Sequence, residues 1–200
     1  RLLDPVAVQS VRLTGFDQMQ RWFPRGEEPV PVRVVDVDEA SLARVGQWPW
    51  SRAVLGDLAE RLAAAGVAVA AFDMLFAEPD RAERGPDGTT VTDRRFADAL
   101  AAGRGVLGLA LVGEATGAAA AGRAGIAVVG PDPVPGLHGF PGMVRSLPPL
   151  AAAAKGEGAI NAVPDRDGVI RRLPLYLAHG DQIVPSLAAE ALRVAQGAAG

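Results

Sequence analysis

Two short apolar runs with one amphipathic helix between them dominate the pattern of hydrophobic and polar positions. Residues 32–37 (VRVVDV) and 67–72 (VAVAAF) are rich in valine and alanine, as buried parallel strands are. Between them, apolar residues recur at helical spacing after Ser51, a good N-cap, and Gly66 marks the end of that helix. The segment therefore predicts a β–α–β unit, because its connection is long enough for a right-handed crossover.

The rest of the pattern adds further helices and strands to this unit. Predicted helices span residues 1–23, 38–45, 93–102, 150–155 and 186–195, and predicted strands span 106–112, 126–129, 158–161, 169–178 and 182–184. The turns in the last third suggest hairpin-like antiparallel strands. The fold class is α/β, with a mixed, mainly parallel sheet flanked by helices, antiparallel additions in the C-terminal third and an N-terminal amphipathic helix. We expect residues 1–25 to form that separate helix and residues 26–200 a single domain.

The N-terminal helix carries apolar residues at heptad-like spacings, at Leu2, Val6, Leu13, Phe16 and Phe23. Two interpretations stay open. The helix packs on the core of its own domain, or it pairs with a second copy and transmits a signal close to a membrane.

Composition and charge exclude several classes of function. Hydrophobic residues make up 49% and charged residues 22% of the 200 positions, which is typical of a globular chain. The net charge of −3, without a basic stripe, argues against nucleic acid as a partner. The chain has no cysteine and two histidines, so disulfides and multi-histidine zinc sites are not expected. No apolar run approaches the roughly 18–20 residues that span a bilayer.

Acidic residues follow the two predicted strands, whose carboxyl ends meet at one sheet edge where ligands of open α/β sheets bind. They are Asp36, Asp38, Asp73, Glu78 and Asp80. Hard divalent cations prefer such oxygen ligands, so Asp36, Asp38 and Asp73 are candidate metal ligands and a divalent cation is the one candidate cofactor. The alternatives are a helix cap with solvated neighbours, or an internal ion pair with Arg52.

An aromatic loop precedes the helix at Ser51. Trp48, Trp50 and Arg52 offer rigid contact area for recognising a ligand, or the tryptophans close one end of the core. Phe76 is expected to staple the loop after the second strand. Residues 165–168 (DRDG) predict a tight turn rather than a calcium loop, because the ligand pattern stops at the glycine. On the strand after that turn, Arg171 is placed to reach the acidic edge.

Four blocks carry a family resemblance: residues 35–42 (VDVDEASL) together with 46–52 (GQWPWSR), then 71–80 (AFDMLFAEPD), 161–172 (NAVPDRDGVIRR) and 185–190 (PSLAAE). Their order and spacing resemble the CHASE domain family, type two, the cyclase- and histidine-kinase-associated sensory extracellular domains. Two departures are Gly158-Ala159, where an aromatic residue is expected after the glycine, and Ala189, where a leucine is usual.

The resemblance implies the periplasmic sensory domain of a bacterial inner-membrane receptor, with flanking membrane helices and a cytoplasmic output domain. That output would be an adenylate, guanylate or diguanylate cyclase, or a histidine or serine/threonine kinase. A homodimer and an unidentified small-molecule or protein signal are the expected partners. The candidate ligand-binding residues are Asp36, Asp38, Trp48, Trp50, Arg52, Asp73, Phe76, Glu78 and Arg171.

Two competing functions remain. One is a constitutive dimerisation scaffold that binds no small ligand, and the other is a metal-dependent hydrolase using the acidic residues. No nucleophile elbow, P-loop, dinucleotide fingerprint or zinc-protease motif occurs in the chain, so we expect no enzyme activity in this domain.

Overall fold

The computed structural model describes residues 5–26, 29–86, 88–117 and 126–198. The chain divides into two compact units, Arg1–Arg44 and Val45–Gly200. The predicted boundary at residue 25 falls inside the first unit.

The described residues form both α-helices and β-strands, which confirms the mixed α/β class. The helices within the described ranges are α1 (Val6–Trp22), α2 (Glu39–Val45), α3 (Arg52–Ala64), α4 (Val91–Ala102), α5 (Pro148–Ala153) and α6 (Leu187–Ala195). The strands are β1 (Ala70–Phe72), β2 (Gly105–Val112), β3 (Gly139–Phe140), β4 (Gly142–Val144), β5 (Gly156–Ala159), β6 (Tyr176–His179) and β7 (Gln182–Pro185), and a short 3₁₀ turn lies at Val134–Gly136.

The first unit holds the predicted N-terminal helix. Helix α1 follows Pro5, and none of its residues is buried. The predicted seam residue Leu2 lies outside the described residues. Helix α2 begins as expected after Asp38, because the carboxylate of Asp38 accepts hydrogen bonds from the backbone N–H and the hydroxyl of Ser41 at 2.8 and 2.6 Å. These bonds lower the pKa of Asp38.

The prediction of a strand at residues 32–37 was wrong. This stretch has no regular secondary structure, and Val34 is 88% exposed. A run of β-branched residues favours a pleated, half-buried surface, but it forms a strand only where a partner supplies the ladder of hydrogen bonds. The described residues of the first unit include no strand that could do so.

Strand β2 is the centre of the main sheet in the second unit. It runs parallel to β1 and to β5, and its last three residues pair antiparallel with β4. Beyond β5, the side-chain amide of Asn161 continues the ladder: it accepts from the N–H of Leu111 at 2.7 Å and donates to the carbonyl of Leu111 at 2.8 Å. The predicted strand at residues 126–129 is absent, and Val129 is 97% exposed there.

A smaller sheet supplies the antiparallel additions predicted for the C-terminal third. Strands β6 and β7 form a hairpin, and β3 pairs parallel with β6 on its other side. The turn of the hairpin contains Gly180 at φ +59°, a left-handed conformation that favours glycine.

The core of the second unit has two parts. Helices α3, α4 and α5 cover one part around Phe72, Phe76 and Phe96, whose rings meet edge to face with centroids 5.2–6.4 Å apart. The other part lies between the two sheets and consists of Leu109, Leu111, Met143, Ala159, Leu177 and Val184. Phe76 is the last residue between β1 and α4 that belongs to the aromatic core.

Candidate functional site around Arg52

The N-terminus of α3 is capped by a residue from a distant loop. Ser51 is the N-cap, and its hydroxyl oxygen accepts a hydrogen bond from the N–H of Ala53 at 3.2 Å. The carboxylate of Asp80 then accepts from the hydroxyl of Ser51 and from the backbone N–H of Arg52, both at 2.8 Å. A carboxylate at this end of a helix is favoured by the helix dipole. Asp80 thus fastens the loop after β1 to the start of α3.

A second carboxylate, from α4, holds the same loop. Thr90 and Asp93 form a capping box, in which the N–H of Asp93 donates to the hydroxyl of Thr90 at 2.9 Å and the N–H of Thr90 donates to the carboxylate of Asp93 at 3.4 Å. The Asp93 side chain is fully buried and also accepts from the N–H of Asp80 at 3.1 Å. Sequence reasoning missed Asp93, although the T-x-x-D spacing before α4 is a capping signal.

The guanidinium of Arg52 lies between these groups. Its side chain is 10% exposed, and its Nε atom is 3.7 Å from Oδ1 of Asp93. Its Nη2 atom donates to the carbonyl of Glu78 at 3.4 Å, and its Cζ atom lies 4.5 Å from the ring centroid of Phe76. Among the described residues, Nε has no hydrogen-bond partner. The structure therefore shows an internal ion pair at Arg52, formed with a carboxylate that the sequence pattern had not singled out.

The pKa values in this network follow from burial and hydrogen bonding. Burial lowers the pKa of Arg52, and the charges of Asp80 and Asp93 oppose that shift. For Asp80, burial acts to raise the pKa, but hydrogen bonds from Thr92, the Arg52 backbone and Ser51 outweigh it, so that the pKa is lowered. Asp80 is therefore ionised at neutral pH, as is Arg52.

The two tryptophans of the aromatic loop differ in burial. Trp50 packs against the aromatic core, and its indole N–H donates to the carbonyl of Gly46 at 2.7 Å. Trp48 meets Trp50 edge to face with centroids 5.8 Å apart, yet it is 38% exposed. Trp50 thus closes one end of the core, and Trp48 is accessible to a partner.

The acidic candidates are divided between the two units. Asp36 and Asp38 belong to the first unit, where Asp38 caps α2. Asp73 and Glu78 belong to the second unit and are exposed. No group of three or more histidine, cysteine, aspartate or glutamate side chains in the described parts of the chain is arranged to hold a metal ion.

Arg171 pairs with two carboxylates of its own turn. Its guanidinium donates to Asp165 at 3.1 Å and to both carboxylate oxygens of Asp167 at 2.8 and 2.7 Å. The bond from Arg171 is the main reason that the pKa of Asp167 falls to about 2. The tight turn itself is confirmed, because the N–H of Gly168 donates to the carbonyl of Asp165 at 2.9 Å.

Two further buried carboxylates were not singled out in the sequence. Glu157 on β5 pairs with Arg145, and Oε1 of Glu157 has no hydrogen-bond partner among the described residues. Glu190 on α6 pairs with Arg193 at 2.7 Å, and the i,i+3 spacing of these two residues was the available signal. The first pair links β5 to the residue that follows β4, whereas the second lies within α6.

Comparisons with known proteins complete this description. None of the described helices is long and apolar enough to cross a membrane. Comparison with curated proteins and with solved structures found no match. The family model of the CHASE2 domain matches residues 2–199, essentially the whole chain. The chain therefore belongs to the CHASE2 domain family, whose members are extracellular sensory domains of signalling receptors.

Proposed function

We propose that this chain is the periplasmic sensory domain of a bacterial transmembrane receptor that signals to a cytoplasmic cyclase or kinase. The observation that carries the proposal is the match to a family of extracellular sensory domains over residues 2–199. A ligand activates such a receptor only if it binds one conformational state better than the other.

Ligand binding is proposed at the loop that follows β1. Asp73 and Glu78 are exposed in this loop, and Trp48 is an exposed aromatic side chain in the same unit. Beneath the loop, the buried Arg52 connects the Glu78 carbonyl to the ring of Phe76. A ligand that contacts Asp73 or Glu78 would therefore act on a loop that is joined directly to the aromatic core.

Homodimerisation through α1 is the second part of the proposal. The helix has no buried residue, and several of its apolar side chains are more than half exposed. Replacing the seam residue Leu13 by Glu should weaken a dimer by putting a charge into its interface. Replacing Val11 by Glu, outside the seam, is the matched control. Sedimentation equilibrium should show a larger dissociation constant for Leu13→Glu alone, and equal effects of the two changes would contradict pairing through this seam.

One observation favours an alternative function, in which the domain is a scaffold that binds no small ligand. The carboxylate of Asp80 already occupies the N-terminus of α3, and the charge of Arg52 is opposed by the carboxylates of Asp80 and Asp93. In that case the domain would act through protein contacts alone. The hydrolase alternative has no supporting observation in the described residues.

The location of the domain can be tested by chemical labelling, because the chain has no cysteine. In the full-length receptor, with any cysteine outside this chain replaced by serine, Val129→Cys places a thiol where the side chain is 97% exposed. A membrane-impermeant maleimide should label this thiol in intact spheroplasts. Ala159→Cys, at a buried position, is the matched control and should react only after denaturation. Labelling of residue 129 only after lysis would place the domain in the cytoplasm and contradict the proposal.

A further inference from the structure

Residues 77–86 of the second unit, which we call the strap, differ in burial from the residues on either side. None of its residues is buried, whereas Phe76 just before it is 1% exposed and Thr90 shortly after it is 0% exposed. A segment with few buried apolar contacts belongs to the parts of a protein that open at low free-energy cost. The polar contacts of the strap therefore decide whether it stays in place.

In the first part of the strap those contacts lie at Glu78 and Asp80; at its other end, the N–H of Gly85 donates to the carbonyl of Thr89 at 3.0 Å, and Arg84 forms an isolated β-bridge with Thr90. The Asp80 carboxylate accepts from Ser51 and from the N–H of Arg52, and the Asp80 N–H donates to Asp93. The Glu78 carbonyl accepts from Arg52 at 3.4 Å. Loss of the Asp80 contacts would free this part of the strap without disturbing the aromatic core below it.

The fastened arrangement leaves one buried donor unsatisfied. Nε of Arg52 has no hydrogen-bond partner among the described residues, and the nearest carboxylate oxygen, on Asp93, is 3.7 Å away. A buried donor without a partner is costly. That Asp93 carboxylate is engaged by the N–H of Asp80. Release of Asp80 would remove the bond that its N–H donates to Oδ1 of Asp93, while Oδ2 stays bonded to Thr90. Oδ1 could then accept a charge-assisted bond from Arg52, which would offset part of the cost of opening.

We propose that the strap is a conformational device that opens as a unit, with Asp80 as its fastening and Arg52 as the positioning residue that favours release. Opening uncovers the guanidinium of Arg52 and the first N–H of α3, while α3 and α4 keep their packing. A ligand that binds only the open arrangement shifts the population towards it. This device does not depend on the identity of the signal or on the cellular location of the domain.

Native-state hydrogen exchange of the whole chain, read by mass spectrometry at increasing low urea concentrations, tests the device. The amides of Asp80 and Arg81, which donate to Asp93 and to the Asp80 side chain, report on the strap. In the unmodified protein, strap peptides should exchange through an opening that hardly depends on urea. Peptides from α3 and α4 should show a strong dependence, because they exchange through global unfolding.

Asp80→Asn should speed exchange of the strap about tenfold or more, since it removes a charge-assisted acceptor. Peptides from α3 and α4 should keep their strong urea dependence, and strap peptides their weak one. Glu83→Gln, at an exposed acid in the same strap, is the matched control and should behave like the unmodified protein. Equal urea dependence of strap and helices would overturn the proposal, as would an Asp80→Asn variant that matches the control. If Asp80→Asn fails to fold, the urea series on the unmodified protein still decides.

Discussion

The guanidinium of Arg52 lies over the ring of Phe76, with its Cζ atom 4.5 Å from the ring centroid. Both residues are buried, at 9% and 1% exposure. A desolvated cation–π contact of this kind contributes about 2 kcal/mol. Phe76 in turn packs edge to face against Phe72 and Phe96. The contact therefore joins a charge network at the surface of the second unit to the centre of its aromatic core.

Removal of the Arg52 charge should destabilise the domain strongly. In Arg52→Met the apolar stem is replaced, but the fully buried Asp93 loses its cation. Breaking a buried pair in this way costs about 3 kcal/mol, because one charge stays buried without its partner. Arg52→Lys should cost less, since it keeps the charge. Urea unfolding at neutral pH measures the change in the free energy of unfolding.

Arg95→Met is the matched control for that experiment. Arg95 on α4 pairs with Asp57 on α3, and both side chains are about half exposed. A surface pair of this kind contributes about 0–1 kcal/mol. Equal losses in Arg52→Met and Arg95→Met would contradict a special role for the buried network.

Two glycine substitutions should have effects of opposite sign. A Cβ atom at Gly158 would lie 2.5 Å from Cα and 2.7 Å from the backbone nitrogen of Leu187, which cannot move without shifting the start of α6. Gly158→Ala should therefore lower the free energy of unfolding by about 3 kcal/mol through overpacking. Gly56 lies inside α3, and its nearest contact would be 3.6 Å from the new Cβ.

Gly56→Ala should consequently stabilise the domain by up to about 1 kcal/mol, because alanine favours the helix interior. Thermal and urea unfolding of both variants give the comparison. A stabilised Gly158→Ala, or two changes of the same sign, would show that β5 and α6 do not approach as closely as described.

The turn at Asp167 should contribute stability that depends on pH. The hydrogen bond from Arg171 lowers the pKa of Asp167 from 3.8 to about 2. Because the folded-state value is the lower one, the contribution is fully present above pH ~4 and is lost as the pH falls towards about 2. Asp167→Asn should therefore reduce the urea midpoint at pH ~7, and the gap between variant and wild type should close near pH ~2. A gap that persists at pH ~2 would contradict this explanation.

Local signals in the sequence were sufficient for much of the fold. Ser51 and Ser186 cap α3 and α6 as expected of residues whose hydroxyl oxygens accept from the first helical turn. The apolar run at residues 106–112 predicted a strand, and β2 lies there with its first five residues all buried. In these cases the information lies within a few residues of the element itself.

The features that the sequence did not predict depend on distant partners. Residues 32–37 have the composition of a strand but lack a described partner in their unit. Asp93 meets Arg52 across 41 positions, and no periodicity indicates such a pairing. The acidic residues look equivalent in sequence, yet Asp38 and Asp80 cap helices whereas Asp73 is exposed. Their different environments arise only when the loops are placed on the helices.

Thermal denaturation against divalent cations and small metabolites tests the central claim most directly, with Asp73→Asn as the control. A ligand at 100 times its dissociation constant stabilises the folded state by about 2.7 kcal/mol. For a domain of this size that corresponds to a rise in Tm of roughly 5–11 °C. We predict such a rise in the wild type and its loss in Asp73→Asn. Unchanged Tm across the whole panel would contradict a small-molecule sensor at this loop and favour the scaffold.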